Sequence, residues 1–332
     1  MTHAVRAAFL CGVIALVAGC SAPATASPSA APSGPPSGSG AAADCATTPP
    51  PQGTPEGWDV GAQRPSVFPQ VINPPGTIAC GQTRLMFSFL GAQNVPVASP
   101  DRSVAVKVFD LGADPTAPVA QADATFIWAI EPRVGVYVVD VDLLTAGSYG
   151  IEFTTSADGG APEAIRSIFD VQPSSDVISI GDRAPASDTP TLEDVGGDLA
   201  KLSTDPSPVP AFYETSIAQA VAEGKPFVVA FATPKFCVSQ QCGPTLDRLK
   251  PIAARHPGVT AINVEPYQLE FMDGQLQPVL TGGQLTPTAT TTEWGLPTEP
   301  WVFVVDRDGV VTDSFMLIFS DEELEAALTA VE

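Results

Sequence analysis

The chain has 332 residues, of which 44% are hydrophobic, and it carries a formal net charge of −22. That length predicts two folded units plus unstructured sequence, and the apolar content is sufficient for two cores. A chain this acidic repels phosphate groups, so neither nucleic acid nor anionic lipid headgroups are expected as partners.

The first 19 residues are predicted to be a targeting segment. Arg6 precedes an apolar stretch from Ala7 to Ala18, which is shorter than the ~20 residues a membrane-spanning helix needs. Small residues lie directly before Cys20, and this ending resembles a bacterial lipoprotein signal. The resemblance implies a signal peptide over residues 1–19, with Cys20 acylated, palmitate included, on the extracytoplasmic side of the cell membrane. The alternative is an ordinary signal peptide that a cysteine happens to follow.

Residues 20–57 are predicted to be a lipidated, disordered tether. Almost all of them are Ala, Pro, Ser, Gly or Thr. Such a composition cannot bury a core, so the segment is expected to hold the folded part away from the membrane.

Residues 58–173 are predicted to form an all-β domain. Candidate strands are rich in β-branched and aromatic residues and are separated by turn residues. They cover 84–90, 104–111, 124–130, 134–144, 148–155 and 166–171. Short strands at this spacing indicate an immunoglobulin-like sandwich. Its large aromatic residues are interpreted as core, namely Phe87, Phe89, Trp128 and Tyr137, and Tyr149 resembles the tyrosine that braces a corner of such domains. No catalytic constellation is apparent in this region.

Residues 174–210 are predicted to be a connector, followed by an α/β domain over residues 211–332. Helices are expected at 213–222, 243–255 and 320–331, the last with a capping box from Ser320 to Glu323. Strands are expected at 227–232, 259–264, 301–306 and 310–318. A long loop is predicted over 269–293, and Asp306 and Asp308 are interpreted as hairpin turn residues.

Four cysteines remain once the targeting segment and Cys20 are set aside. An even number in an oxidising compartment predicts disulfides. Cys237 and Cys242 are close in sequence, so they form the simplest pair. Cys45 with Cys80 would then be a structural disulfide between the tether and the first domain.

The second half resembles the thioredoxin superfamily. The run from Phe231 to Cys237 is similar to the approach to a thioredoxin redox site, and Pro251 lies where that family has a proline inside the following helix. The segment Gly295-Leu-Pro-Thr-Glu-Pro resembles the one that carries the family's cis-proline. The resemblance implies a C-terminal α/β thioredoxin-like fold, with Pro300 in cis and the backbone of Glu299 available to a substrate chain.

The cysteine spacing departs from the family, which uses C-x₂-C where this chain has C-x₄-C. Cys237 can be the attacking thiol, resolved by Cys242 across a longer loop. Alternatively, Cys242-Gly-Pro-Thr245 matches the family motif, Cys242 attacks and Cys237 resolves. A helix start near both cysteines favours a thiolate, and the first arrangement is preferred because Cys237 is expected to be more exposed.

The sequence offers few other candidate site residues. The acid that many thioredoxins bury is absent from the strand Val228-Val-Ala-Phe-Ala, and His256 is interpreted as a solvated loop residue. Glu265-Pro-Tyr267 either lies at the same rim as the cysteines or is a turn at a strand end. A copper site is not expected, because no histidine late in the chain supplies a third ligand.

Two functions remain open from the sequence. One is a thiol–disulfide oxidoreductase that acts on exported proteins through Cys237 and Cys242, or exchanges electrons with a membrane redox partner. The other is a non-catalytic surface lipoprotein whose C-x₄-C disulfide is structural and whose sandwich binds a partner. No cofactor or metal is predicted for either, and a monomer is expected.

Overall fold

A computed structural model describes residues 45–157 and 159–332. The predicted signal peptide, Cys20 and the tether as far as residue 44 lie outside the described residues. All the described residues belong to one compact unit of the chain. Within these ranges, no helix has the length and apolar character needed to cross a membrane.

The first half is an all-β sandwich of two sheets. One sheet has the order β1-β8-β4-β5, with β9 also on β8, and the other has the order β2-β3-β7-β6. All pairings are antiparallel except β1 with β8. The strands are β1 Ala46–Thr47, β2 Phe68–Val71, β3 Gly81–Leu90, β4 Arg102–Asp110, β5 Ala120–Asp123, β6 Thr125–Ile130, β7 Val134–Leu143, β8 Thr145–Ala157 and β9 Glu163–Val171.

Aromatic side chains fill the space between the two sheets. Phe87, Phe89 and Phe153 are fully buried, and Tyr137 is 1% exposed. Their ring centroids lie 4.7 to 6.0 Å apart, mostly in tilted or edge-to-face pairs, which aromatic rings favour. Trp128, predicted as core, is only partly buried and packs edge-to-face on Phe126.

The ordered part of the sandwich begins before the predicted boundary at residue 58. Ala46 and Thr47 lie in the predicted tether, yet they pair with the start of β8. A disulfide joins Cys45 to Cys80, and Trp58 is buried against Phe109. Composition alone misses this segment because one disulfide and a single buried tryptophan are enough to hold it. At the same end of β8, the hydroxyl of Tyr149 donates to the backbone oxygen of Thr145, as expected for a braced corner.

The second half is built on a four-stranded mixed sheet with helices. Its strand order is β11-β10-β16-β17, with β10 parallel to β11 and antiparallel to β16. The elements are α1 Ile217–Glu223, β10 Phe227–Phe231, α2 Cys242–Ala253, β11 Thr260–Val264, β12 Leu269–Met272, β13 Gln275–Pro278, β14 Leu280–Thr281, β15 Gln284–Leu285, α3 Ala289–Glu293, β16 Trp301–Val305, β17 Val311–Met316 and α4 Asp321–Val331.

Both faces of this sheet are covered, which explains why every residue of β10 and β16 is buried. Apolar residues of α2 and α4 pack on one face. The other face packs on α1 and Trp294, and also on side chains of the sandwich, among them Met86 and Val138. The two halves therefore share a core.

Two local differences from the predicted elements have identifiable causes. The predicted loop 269–293 contains two short hairpins and α3. Asp273-Gly274 and Gly282-Gly283 all have positive φ, which two-residue hairpin turns require. The helix predicted from residue 213 starts instead at Ile217, because Ser216 and Gln219 form a capping box there.

Candidate functional site

The disulfide between Cys237 and Cys242 lies where a central strand leads into a helix. Strand β10 ends at Phe231, and Cys242 is the first residue of α2. The two Cα atoms are 6.0 Å apart, and the residues between them form a loop over the helix N-terminus. Pro251 lies inside α2, as the sequence predicted.

The two sulfurs differ in accessibility. Cys242 is fully buried, whereas Cys237 is partly exposed. The backbone N–H of Cys242 points at Cys237 Sγ over 3.1 Å, and Ser239 Oγ lies 3.3 Å from the same sulfur. The N–H of Cys242 and the helix N-terminus would stabilise negative charge on Cys237 once the disulfide is reduced. The arrangement suits Cys237 as the sulfur that meets a partner.

Glu299 and Pro300 lie against the loop between the cysteines. The Glu299–Pro300 peptide bond is cis, and Glu299 is only 2% exposed. Ser239 Oγ donates to the backbone oxygen of Glu299 over 2.8 Å, and the N–H of Val238 donates to its Oε1 over 2.7 Å. The carbonyl of Glu299 is therefore already hydrogen-bonded to the loop, and its role in binding a substrate chain stays a prediction. The loop of the C-x₄-C spacing is long enough to reach it.

Tyr267 joins the same cluster, which answers the question left open for Glu265-Pro-Tyr267. Its hydroxyl donates to Glu299 Oε2, so both carboxylate oxygens accept a hydrogen bond. Burial and the neighbouring carboxylate raise the pKa of Tyr267, which keeps the hydroxyl protonated. Tyr267 therefore positions the Glu299 carboxylate.

The Glu299 carboxylate also lies beside the disulfide. One of its oxygens and the sulfurs of Cys237 and Cys242 all lie within 4.8 Å of one another. The sequence predicts a role for the backbone of Glu299 only, because nothing local shows where a side chain before a proline points. Its acidic identity next to the predicted cis-proline was the available signal.

A buried acid is present in the second half, although it is not on β10. Glu265 follows β11, and its carboxylate accepts a hydrogen bond from the N–H of Thr204 over 2.6 Å. Part of the residue is exposed, but Oε2 is shielded and has no hydrogen-bond partner within the described chain. Burial raises the pKa of Glu265 to about 7. The only sequence signal for this buried acid is a Glu directly after an apolar strand.

Glu265 lies in the wall of a cavity of about 510 Å³ beside the hairpin of β12 and β13. Asn263 and Tyr213 also line it, and burial raises the pKa of Tyr213 to about 12. The hydroxyl of Tyr213 accepts from Asn263 over 2.9 Å and donates to Ser203 over 2.7 Å. The cavity is thus polar on one side and apolar toward Leu276.

The prediction that His256 is a solvated loop residue is wrong. It is 7% exposed, and its ring nitrogens lie 2.7 Å from Glu325 Oε2 and 3.0 Å from Glu332 Oε2. These two carboxylates raise the pKa of His256. The residue ties the end of α2 to α4 and is not part of the cysteine cluster. The acids come from the last helix, so their proximity is not visible in the local sequence.

No protein-family model matches the sequence, and no curated protein does either. Similar solved structures include the PmoD soluble domain from Methylocystis sp. ATCC 49242 (Rockwell), at 17% identity over 32% of this chain and 90% of that chain, with a TM-score of 0.21. The Lin-41 filamin domain is 12% identical over 32% of this chain and 93% of that chain, with a TM-score of 0.18. A conjugative transposon lipoprotein from Bacteroides eggerthii DSM 20697 is 8% identical over 32% of this chain and 96% of that chain, also with a TM-score of 0.18. Likenesses this weak assign no family and no function.

Proposed function

We propose that this chain is a membrane-anchored, extracytoplasmic protein that carries out thiol–disulfide exchange on exported proteins through Cys237 and Cys242. The observation that supports this most is the disulfide's position, between the end of a buried central strand and the first residue of a helix. The N-terminus of a helix stabilises a thiolate, which favours redox chemistry at a cysteine there.

The second half is proposed to have a thioredoxin-like fold, and the first half an immunoglobulin-like one. Supporting the former are a parallel β10–β11 pair, the following antiparallel β16 and β17, and helices on the sheet. Supporting the latter are two antiparallel sheets around an aromatic core and the corner bond of Tyr149. Folds of both kinds serve many functions, so the cysteine site carries the functional proposal.

The exchange proceeds from the reduced protein in two steps. The Cys237 thiolate attacks one sulfur of a substrate disulfide, which forms a mixed disulfide and releases the other substrate sulfur as a thiolate that takes up a proton. Cys242 then loses its proton and attacks Cys237 Sγ, which restores the Cys237–Cys242 disulfide and releases the second substrate thiol. A membrane redox partner would supply the two electrons that reduce the pair again.

Anchoring is proposed through a lipid on Cys20, on the extracytoplasmic side of a bacterial membrane. The support is the sequence around Cys20, which resembles a lipoprotein signal. The disulfide between Cys45 and Cys80 is consistent with an oxidising compartment.

A second candidate function is a non-catalytic lipoprotein in which Cys237–Cys242 is a structural disulfide and the sandwich binds a partner. The observation in its favour is the closure of the loop between the cysteines. Ser239 occupies the backbone oxygen of Glu299, and Cys242 is fully buried. A disulfide held in this way resists an incoming substrate chain.

The reduction potential of the Cys237–Cys242 pair distinguishes the two functions. The full-length chain is equilibrated in dithiol and glutathione buffers, and the free thiols are alkylated and counted. A chain with Cys237→Ser and Cys242→Ser gives the contribution of the other cysteines. A value between about −120 and −270 mV supports exchange, whereas one below about −300 mV indicates a structural disulfide.

A further inference from the structure

We propose that Cys237, Cys242 and Glu299 together form a Zn²⁺ site when the disulfide is reduced. The proposal uses the same cysteines as the proposed exchange but does not require that activity. One ligand atom from each of the three residues lies within 4.8 Å of the other two, inside the span that a single metal ion bridges.

The charges of the cluster call for a cation after reduction. Glu299 is buried, and its carboxylate oxygens accept from Val238 N–H and the Tyr267 hydroxyl, which are neutral donors. Across the described ranges, no lysine or arginine forms an ion pair with Glu299. Reduction adds two thiols beside this carboxylate. If the thiols ionise, their charges repel it and each other, and a divalent cation relieves that repulsion.

The ligand set selects Zn²⁺ among common cations. Thiolates are soft ligands and exclude Mg²⁺ and Ca²⁺, whereas a carboxylate is a hard ligand that Cu(I) does not favour. Zn²⁺ accepts both sulfur and oxygen in four-coordinate sites, so three protein ligands leave one position for water. Glu299 therefore supplies the third ligand, which no histidine late in the sequence provides.

Neighbouring groups already orient the ligands. Val238 and Tyr267 hold the carboxylate, and the N–H of Cys242 points at Cys237 Sγ. Hydrogen bonds of this kind to metal ligands contribute strongly to affinity. Cys237 is partly exposed, which provides a path for the ion.

Metal binding and the disulfide exclude each other. Reduction takes up two electrons and two protons and yields two thiols. Zn²⁺ then displaces both protons, because only the thiolates act as ligands. With both sulfurs bound to the ion, neither is free to attack a substrate, so Zn²⁺ is expected to inhibit exchange.

The test is a titration of the reduced full-length chain with Zn²⁺ at neutral pH, in competition with a chromophoric chelator and in mild detergent. We expect one Zn²⁺ per chain beyond whatever the Cys237→Ser/Cys242→Ser chain binds, and no such ion in the oxidised chain. Glu299→Gln, which keeps the shape of the side chain, should weaken binding by at least about tenfold. Glu270→Gln removes an equal charge from an exposed position and should bind as the wild type does.

Two results would overturn the zinc site. One is a reduced wild-type chain that binds no more Zn²⁺ than the double serine variant, and the other is Glu299→Gln binding as tightly as the wild type. Circular dichroism of each variant confirms that the fold is retained. Exchange is measured separately on metal-free protein, so absence of zinc with normal exchange rejects only this site. Zinc binding without exchange rejects only the proposed function.

Discussion

Ser239 Oγ donates a 2.8 Å hydrogen bond to the backbone oxygen of Glu299, the residue before cis Pro300. The same hydroxyl lies 3.3 Å from Cys237 Sγ. One serine in the loop between the cysteines therefore contacts both the sulfur that is proposed to attack and the backbone that a substrate chain would use.

Ser239→Ala is expected to free this backbone oxygen, because the serine hydroxyl is its hydrogen-bond donor. The freed oxygen speeds reaction with a peptide disulfide, whereas alkylation by the small reagent iodoacetamide does not use the backbone of Glu299. We therefore expect the ratio of peptide exchange rate to iodoacetamide alkylation rate to rise several-fold. Ser174→Ala, at an exposed position in the connector, is the control. An unchanged ratio would show that the loop does not obstruct the substrate.

Glu299→Gln is expected to make the metal-free pair more oxidising. Removing a buried negative charge beside the sulfurs stabilises the thiolate, and with it the reduced state. Stabilising the reduced state by about 1.4 kcal/mol relative to the oxidised state raises the potential by about 30 mV. The reduction potential should therefore rise by tens of millivolts. The measurement is equilibration against glutathione with a chelator present. Glu270→Gln should leave the potential unchanged, and a fall in potential in Glu299→Gln would contradict the electrostatic role.

Glu265 is expected to make the protein less stable as the pH rises from about 4.5 to 7. Its pKa is raised from 4.5 to about 7 by burial, so in this window the folded state binds more protons than the unfolded state. The stability is greatest below the unfolded pKa and is lost as the pH approaches the folded pKa. Above pH 7, ionisation of the Glu265 carboxyl lowers the free energy of unfolding by up to about 3 kcal/mol.

Urea unfolding at pH 5 and pH 8 measures this effect. The variant Glu265→Gln should reduce the difference between the two pH values and should be more stable than the wild type at pH 8. His256 also has a raised pKa, so it contributes stability that is lost at high pH in both proteins. An identical pH dependence with and without Glu265 would show that its carboxylate is hydrated in solution.

Arg84 is expected to support the junction between the two halves. Its guanidinium donates to both carboxylate oxygens of Glu323, over 2.9 and 3.0 Å, and Glu323 also completes the capping box of α4. Arg84→Ala leaves a partly buried carboxylate without its partner and should cost about 1–3 kcal/mol of unfolding free energy.

The control for Arg84→Ala is Lys107→Ala, which removes a 3.8 Å ion pair between an exposed lysine and Glu152. Because Glu152 keeps its ion pair with Arg166, this change should cost under about 1 kcal/mol of unfolding free energy. Denaturant unfolding followed by tryptophan fluorescence measures both variants. Equal stability of the two variants would show that the Arg84–Glu323 pair does not hold the halves together.

Sequence alone determined the features that depend on neighbouring residues. Runs rich in β-branched and aromatic residues between turn residues predicted most strands of the sandwich, and Ser320 with Glu323 predicted the start of α4. The cysteine pair was placed correctly between a buried strand and a helix for the same reason. In each case, the deciding interaction spans only a few residues.

Tertiary structure decided where the polar side chains meet. The carboxylate of Glu299 reaches Cys237 and Cys242 only because β16 pairs with β10, which brings segments far apart in sequence side by side. His256 is buried by acids from the last helix, for the same reason. Local sequence encodes the periodicity of one element, but contacts between distant elements depend on strand order and register. The chemistry of the cluster therefore became visible only in the folded chain.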